Sequence, residues 1–199
     1  MTKVLPHNTD YGPIHLFSPT IWKYQYNFDW LQLAPKVDNL FRQVKKNSDL
    51  EKGAAWSTVA CKPYLQPHTW IELQNFMQWL DTIIPSIAKS LGFQDLEQRV
   101  SQSWINKHCM GGETIEHNHN NTYFVVSCYL KCPIDSGNIV FKDPLEYHKS
   151  HWPVYPEEHM CMEIPVTTND VLIFPGYLKH YTMPSASNDE RFVMTLNIK

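Results

Sequence analysis

The feature that most constrains the fold is a series of short strand-like segments that fills the second half of the chain. The segments are apolar or alternate apolar with polar residues, and Gly, Pro, Asn, Asp and Ser at turn positions separate them. Strands this short and this evenly spaced are typical of a β-sandwich or a jelly roll. The eight predicted strands cover residues 100–107, 114–119, 123–130, 138–141, 160–164, 171–174, 179–182 and 191–198.

The first half of the chain predicts an extended segment followed by two amphipathic helices. Apolar residues recur at helical spacing between Leu33 and Val44, and Asp29 is placed to cap that helix. Thr69 and Glu72 form a capping-box pattern that opens the second helix. We therefore expect one α+β domain, in which N-terminal helices pack on one face of a C-terminal β-sandwich.

At 199 residues the chain is expected to form that single domain without subdivision. Residues 1–99 would supply the N-terminal strand and the helical support, and residues 100–199 would form the β-rich core that carries the functional site. The stretch over 145–159, rich in Tyr, His, Pro and Glu, is expected to be a long loop, and long loops in compact domains are often functional lids or binding loops.

Composition and charge exclude several classes of protein. The 17 basic and 20 acidic residues give a formal net charge of −3, which argues against nucleic acid as the main partner. No run of about 18 apolar residues is present, so no membrane span is predicted. Residues 1–10 lack the apolar core of a signal peptide, and the five cysteines are an odd number. These two observations favour reduced thiols and a cytoplasmic protein.

Three of the ten histidines occupy positions from which strand geometry can bring them together. His117 and His119 are two residues apart, so on a strand both side chains point to the same face. His180 follows 61 residues after His119, just beyond an apolar strand and its Pro-Gly turn. Such a set can bind one side of a metal ion and leave the opposite positions open, as in non-haem iron oxygenases. The alternative is a pair of ordinary strand histidines, one exposed and one hydrogen-bonded.

Arg191 adds weight to the metal-site interpretation. It lies 11 residues after His180 and opens the last strand, where Arg191, Val193, Thr195 and Asn197 share one face. An arginine buried inside the sandwich requires an anion, and its planar fork matches a carboxylate. If Arg191 is on the surface instead, we expect an ion pair with a neighbouring acidic residue.

These residues give the segment 103–199 a resemblance to the 2-oxoglutarate/Fe(II)-dependent oxygenases, a superfamily of double-stranded β-helix enzymes. The resemblance implies a mainly β jelly roll with N-terminal helices on its major sheet. The matching pieces are Ser103-Trp104-Ile105-Asn106, His117-Asn118-His119, Ser127-Cys128-Tyr129-Leu130, Ser136-Gly137-Asn138-Ile139-Val140-Phe141 with Asp143-Pro144, Asn169-Asp170-Val171-Leu172-Ile173-Phe174-Pro175 before His180, and Glu190-Arg191 before Asn197.

The resemblance also implies the chemistry and the role of each site residue. It implies Fe(II) as the metal, 2-oxoglutarate as co-substrate and O2 as oxidant, with hydroxylation of a substrate and release of succinate and CO2. His117 would be the first iron ligand and His180 the distal one, while Arg191 would bind the far carboxylate of 2-oxoglutarate. The further co-substrate contacts expected are Tyr129, Ser127, Asn106 and Thr195.

The sequence departs from the superfamily pattern at two positions. The third ligand position holds His119, where most members have Asp or Glu, although one group of these oxygenases itself reads His-x-His. A neutral imidazole in place of a carboxylate leaves the metal site one unit more positive. Val193 stands where many relatives have Ser or Thr, so that hydrogen bond is either missing or moved to Thr195.

Two alternative functions fit the same residues. One is a cupin-like dioxygenase with three histidine ligands and no 2-oxoglutarate, for which Arg191 has no evident use. The other is a non-enzymatic jelly-roll binding module with structural histidines, which would bind no stoichiometric metal. The fold does not identify the prime substrate: a small molecule and a peptide side chain are both compatible with the sequence, as is a homodimer.

Overall fold

The computed structural model describes residues 19–44, 49–93, 99–149 and 160–199, and its main feature is a six-stranded antiparallel sheet. A three-stranded antiparallel sheet and a two-stranded ribbon accompany it. In spatial order the large sheet contains β1 (Trp22–Gln25), β9 (Asp170–Pro175), β6 (Phe124–Lys131), β11 (Arg191–Ile198), β4 (Val100–His108) and β3 (Ala55–Ser57). The smaller sheet contains β10 (His180–Thr182), β7 (Ile139–Lys142) and β8 (Cys161–Ile164), and the ribbon pairs β2 (Glu51–Lys52) with β5 (Glu113–Thr114).

The strands of the large sheet separate two hydrophobic cores, because alternate residues point to opposite faces. On β11, Phe192 and Met194 face the core that the N-terminal helices cover, whereas Val193 faces a second core. That second core also contains Ile139 and Phe141 of the smaller sheet, so the two sheets face each other across it. The predicted sandwich with helices on the outer face of its major sheet is confirmed.

The first predicted helix is confirmed and the start of the second was placed too early. Helix α1 spans Trp30–Phe41, and the Asp29 carboxylate accepts the Gln32 N–H at 3.2 Å. Helix α2 spans Gln74–Ser90, so the predicted capping box at Thr69 is wrong. The Thr69 hydroxyl donates to the Gln66 carbonyl within one of three consecutive 3-10 turns over residues 63–73. Two of these turns begin at a proline, whose fixed φ suits a turn start.

The second predicted strand, over 114–119, is also corrected. Its regular pairing ends at Thr114, and only an isolated bridge joins His117 to His180 further along. The run of Asn118, Asn120 and Asn121 favours a turn over a strand, and Asn121 adopts a left-handed φ of 56°. The remaining seven strands are confirmed within about two residues at each end.

Most of the predicted loop over 145–159 lies outside the described residues. The part within them forms the short helix α3, Glu146–Lys149, so the loop begins with a helical turn. Among the helices that the structure describes, none combines the length and the apolar character needed to cross a bilayer.

Candidate metal centre

Three histidine side chains converge in a cavity of about 260 Å³ that opens between the two sheets. One ring nitrogen from each of His117, His119 and His180 lies within 4.8 Å of the others. The backbone places all three: His117 and His180 exchange N–H···O bonds of 3.0 and 2.9 Å, and the His119 N–H donates to the Gly176 carbonyl at 2.9 Å. The histidines that the sequence singled out are therefore brought together.

The hydrogen bonds of the three rings determine which nitrogen can bind a metal. Nδ1 of His117 lies 2.8 Å from the Ile115 carbonyl, and Nδ1 of His180 lies 2.9 Å from the Leu178 carbonyl. Because a carbonyl oxygen only accepts, each Nδ1 carries the proton and each Nε2 keeps a free lone pair. Metal-binding histidines usually donate the N–H of their other ring nitrogen to an acceptor of this kind.

His119 follows the same pattern with a side chain as its partner. Its Nδ1 lies 2.7 Å from Oδ1 of Asn197, and we assign the amide so that this oxygen accepts the Nδ1 proton. Nε2 of His119 is then buried and has no hydrogen-bond partner in the structure. A buried nitrogen lone pair without a partner is costly unless it coordinates something. The three Nε2 atoms therefore fit a metal ion of the type that imidazole binds, such as Fe(II).

Burial keeps the three imidazoles neutral, which is the state that binds metal. It lowers the pKa of His119 to about 4, with the hydrogen bond to Asn197 acting in the opposite direction. It also lowers the pKa of His117, and lowers that of His180 well below the usual value. Near neutral pH a metal ion therefore does not have to displace protons from these rings.

Aromatic side chains hold two of the rings in place. Trp104 stacks on His119 with a centroid separation of 5.7 Å and an interplanar angle of 17°. Phe174 meets His180 edge-on at 4.8 Å. Since both aromatic residues belong to the sheets, the orientation of the two imidazoles is fixed by the rigid part of the fold.

Arg191 lies completely buried beneath the same cavity, so the predicted alternative of a surface ion pair is wrong. Its Nε and Nη2 donate to Nδ1 of His108 at 3.1 and 2.5 Å, and its Nη1 donates to the Gly137 carbonyl. The acidic neighbour Glu190 forms its ion pair with Lys107 instead. Within the described parts of the chain, no carboxylate lies at ion-pair distance from the Arg191 guanidinium.

The other residues predicted to contact the co-substrate line this cavity. They are Tyr129, Ser127, Asn106 and Thr195. Oδ1 of Asn106 is buried and has no hydrogen-bond partner among the described residues, which leaves it available to a ligand. Arg191 does not itself line the cavity, but its contact His108 and its strand neighbour Val193 do. The structure thus brings the predicted residues together, and their individual roles remain predictions.

Sequence analysis gave no role to two residues that the structure places at the site. Asn197 was assigned to the same face as Arg191 but not to a contact with His119. His108 was assigned to nothing, although it follows Asn106 by two residues on β4 and so points to the same face. The two-residue spacing from Asn106 could have placed His108 at the site. It could not have identified Arg191, 83 residues away, as the partner of His108.

Four charged side chains form an ion-pair network beside the histidines. Lys142 lies 3.1 Å from Glu116 and 2.7 Å from Glu146, and Lys179 lies 3.7 and 3.1 Å from the same two carboxylates. These contacts turn Glu116, the neighbour of His117, toward the lysines. Glu116 is not part of the histidine cluster.

Comparisons with known proteins agree with this geometry. Residues 102–197 match a family model described as "Putative 2OG-Fe(II) oxygenase". No curated protein matches the chain in sequence.

Three solved structures are similar to this chain over most of its length. A prolyl-4-hydroxylase from Pseudomonas putida has a TM-score of 0.61 and 9% identity over 92% of this chain and 93% of that chain. A prolyl hydroxylase from Trichoplax adhaerens, in complex with a hypoxia inducible factor peptide, has a TM-score of 0.60 and 16% identity over 89% and 82%. HygX from Streptomyces hygroscopicus, with nickel, 2-oxoglutarate and hygromycin B bound, has a TM-score of 0.55 and 10% identity over 90% and 82%. At these identities the similarity establishes the fold, which is the predicted double-stranded β-helix.

Proposed function

We propose that this chain is a 2-oxoglutarate/Fe(II)-dependent oxygenase that holds its iron through Nε2 of His117, His119 and His180 and its co-substrate through Arg191. It is an oxidoreductase whose metal is Fe(II) and whose co-substrate is 2-oxoglutarate. When bound, the two supply the activation of O2 and the oxidation of a C–H bond, with release of succinate and CO2. The reaction that we propose is hydroxylation of a prime substrate.

The observation that carries the proposal is the buried charge of Arg191. Removing a guanidinium from water costs several kcal/mol, and that cost is offset only by hydrogen bonds and an opposite charge. Burial accordingly lowers the pKa of Arg191, and the contacts that the structure gives its guanidinium are uncharged. The distal carboxylate of 2-oxoglutarate would supply the missing negative charge and match the fork of the guanidinium.

The remaining site residues would orient the ligands and exclude water. Asn197 and the Ile115 and Leu178 carbonyls hold the proton on Nδ1 of each imidazole, so that three lone pairs point into one space. Tyr129 and Ser127 on the neighbouring strand β6, and Thr195 on β11 itself, would contact the co-substrate. The apolar surroundings strengthen every charge interaction inside the cavity.

The contact between Asn197 and His119 provides a test of the third ligand. We expect Asn197→Leu to weaken metal binding about 10- to 100-fold, because loss of the acceptor frees the His119 ring to rotate and to change tautomer. Asn197→Asp keeps an acceptor at the same place and should retain metal affinity. The measurement is calorimetric titration of the metal-free protein with Ni(II) or Fe(II). Equal affinities for the Leu and Asp variants would exclude this role for Asn197.

The family assignment favours the oxygenase over the two alternatives raised by the sequence. A cupin-like enzyme without 2-oxoglutarate has no use for a buried arginine that lacks a carboxylate partner. A binding module with structural histidines does not require three lone pairs directed at one point.

Binding and turnover of 2-oxoglutarate test the proposed function directly. We expect the iron-loaded protein to bind 2-oxoglutarate and, in air and without any prime substrate, to form succinate slowly. The control is the metal-free protein, in which succinate formation should stop. If the iron-loaded protein neither binds nor consumes 2-oxoglutarate, the proposal is wrong.

The prime substrate would enter from the open side of the cavity. Asn118, Asn120 and Thr182 present uncharged polar groups there, which suits a small molecule or a peptide side chain. Two of the similar structures are prolyl hydroxylases, one of them with a peptide bound, which supports a peptide substrate. Screening candidate substrates for stimulated release of succinate would distinguish the two classes.

The cellular setting is part of the same proposal. All five cysteines are free in the structure, which suits a reducing cytoplasm. The formal charge of −3 supports the expectation that nucleic acid is not the substrate. A homodimer stays a prediction, to be tested by the molar mass of the protein in solution.

A further inference from the structure

We propose that His108 is a positioning residue for 2-oxoglutarate, which orients the Arg191 guanidinium toward the distal carboxylate without neutralising its charge. The inference rests on the proposed function, because it assigns the ligand of Arg191 to 2-oxoglutarate. Arg191 touches the carboxylate in this scheme, and His108 acts through Arg191.

The contact between the two side chains follows from the register of the sheet. His108 is the last residue of β4 and pairs directly with Arg191, the first residue of β11. Both side chains are buried, with 1% and 0% of their surface exposed. Nδ1 of His108 accepts from Nε and Nη2, which together form one edge of the guanidinium.

These contacts determine which part of the guanidinium stays available. Arginine has five N–H donors. Two of them point at His108 and one points at the Gly137 carbonyl. By count, one donor on Nη1 and one on Nη2 remain, which is the number that a bidentate contact with a carboxylate requires.

Because His108 is neutral, it does not cancel the positive charge of Arg191, and that charge remains available to attract the ligand. Because Nδ1 accepts from a cation, the proton is on Nε2, which lies 2.9 Å from the Thr114 hydroxyl. Burial, and secondarily the charge of Arg191, lowers the pKa of His108 to about 3, so the ring is neutral near pH 7. An Asp or Glu at this place would orient the guanidinium equally well but would cancel the charge that attracts the co-substrate.

The backbone fixes the second acceptor. Gly137 has a φ of 85°, and a Cβ on it would overlap the Met183 carbonyl, so only glycine fits this turn. The Gly137 carbonyl is thereby held against Nη1 of Arg191. Two rigid acceptors, the His108 ring on β4 and the Gly137 carbonyl in the turn before β7, therefore set the plane of the guanidinium.

Two variants of His108 separate orientation from general packing. In Asn the side-chain oxygen can occupy the place of Nδ1, whereas the longer Gln places its amide near Nε2. His108→Asn should therefore keep the acceptor for Arg191, and His108→Gln should lose it. Each protein is loaded with Ni(II) and titrated calorimetrically with 2-oxoglutarate and with 2-oxobutyrate, which lacks the distal carboxylate.

The expected result is specific to one ligand. His108→Gln should bind 2-oxoglutarate about 10- to 100-fold more weakly than the unmodified protein, with 2-oxobutyrate and Ni(II) affinities unchanged. His108→Asn should stay within about threefold of the unmodified protein for both ligands. If His108→Gln binds 2-oxoglutarate normally, or loses both keto acids equally, the inference is overturned. If the unmodified protein does not prefer 2-oxoglutarate to 2-oxobutyrate, the proposed role of Arg191 as the co-substrate contact is wrong, and the role of His108 falls with it.

The protonation of His108 can also be measured in the unmodified, metal-free protein, so this test does not depend on whether a variant folds. Nitrogen-15 NMR of the imidazoles reports which ring nitrogen carries the proton. We expect His108 to be neutral with its proton on Nε2 at pH 6 to 8. A proton on Nδ1 would contradict the proposed acceptor role and overturn the inference.

Discussion

His180→Ala is expected to abolish stoichiometric metal binding, from about one equivalent per chain to nearly none. The substitution removes one of three converging nitrogens, and the two that remain cannot enclose one side of an ion. It leaves the backbone bridge to His117 in place, because that bridge uses main-chain atoms. Metal content after dialysis against Fe(II) or Ni(II) measures the effect.

Glu116→Gln is the matched control for this prediction. Glu116 adjoins His117 in the sequence but contacts Lys142 and Lys179, so its substitution should leave the metal stoichiometry unchanged. Metal should also raise the melting temperature of the unmodified protein and of the control, and not that of His180→Ala. If the His180→Ala protein still bound one equivalent of metal with undiminished affinity, His180 would not be a metal ligand.

Arg191→Met is expected to lower the affinity for 2-oxoglutarate while leaving metal affinity within about threefold. Truncating one partner of a buried, hydrogen-bonded charge pair typically costs about 2–5 kcal/mol, which corresponds to roughly 30- to 5,000-fold in affinity. Methionine keeps much of the length of the arginine stem, so the cavity left behind is small. Calorimetric titration of Ni(II)-loaded protein with 2-oxoglutarate measures the loss.

Arg191→Lys separates charge from shape in the same experiment. Lysine keeps the positive charge but lacks the planar fork, so its affinity for 2-oxoglutarate should lie between those of the unmodified protein and Arg191→Met. The melting temperatures of both variants, measured without ligand, show whether each one folds. Loss of metal and of 2-oxoglutarate to the same extent in the folded variants would contradict the assignment of Arg191 to the co-substrate.

A metal held by His117, His119 and His180, as proposed, would give the centre a different charge from a site with two histidines and a carboxylate. The structure places His119 where a carboxylate is usual, and no acidic side chain of the described residues joins the cluster. A divalent ion bound there would find no carboxylate in the histidine cluster to offset its charge. Nearby Arg191 would add one more positive charge and Glu51 on the cavity lining a negative one, and the sum still suits an anionic co-substrate.

The sequence predicted the faces of the strands because that information is local. Alternation along residues 191–198 placed Arg191 and Asn197 on one face and Phe192 and Met194 on the other, and the two cores confirm it. The order of His117, His119, His180 and Arg191 likewise predicted one shared site. Local patterns failed where two local preferences compete: Thr69 closes a 3-10 turn instead of capping a helix, and the asparagines after His117 interrupt a strand.

The partners of the site residues were decided only by the tertiary structure. His108 meets Arg191 across a strand pair separated by 83 residues, and Asn197 meets His119 across 78. Which residues face each other depends on the register of distant strands, and no periodicity within one segment encodes that register. The amino-acid sequence therefore determined which residues could carry the chemistry and which face they share. The packing of the two sheets determined the hydrogen-bond partner of each ring, and those partners leave three imidazoles suited to bind a metal and make a fourth the acceptor for Arg191.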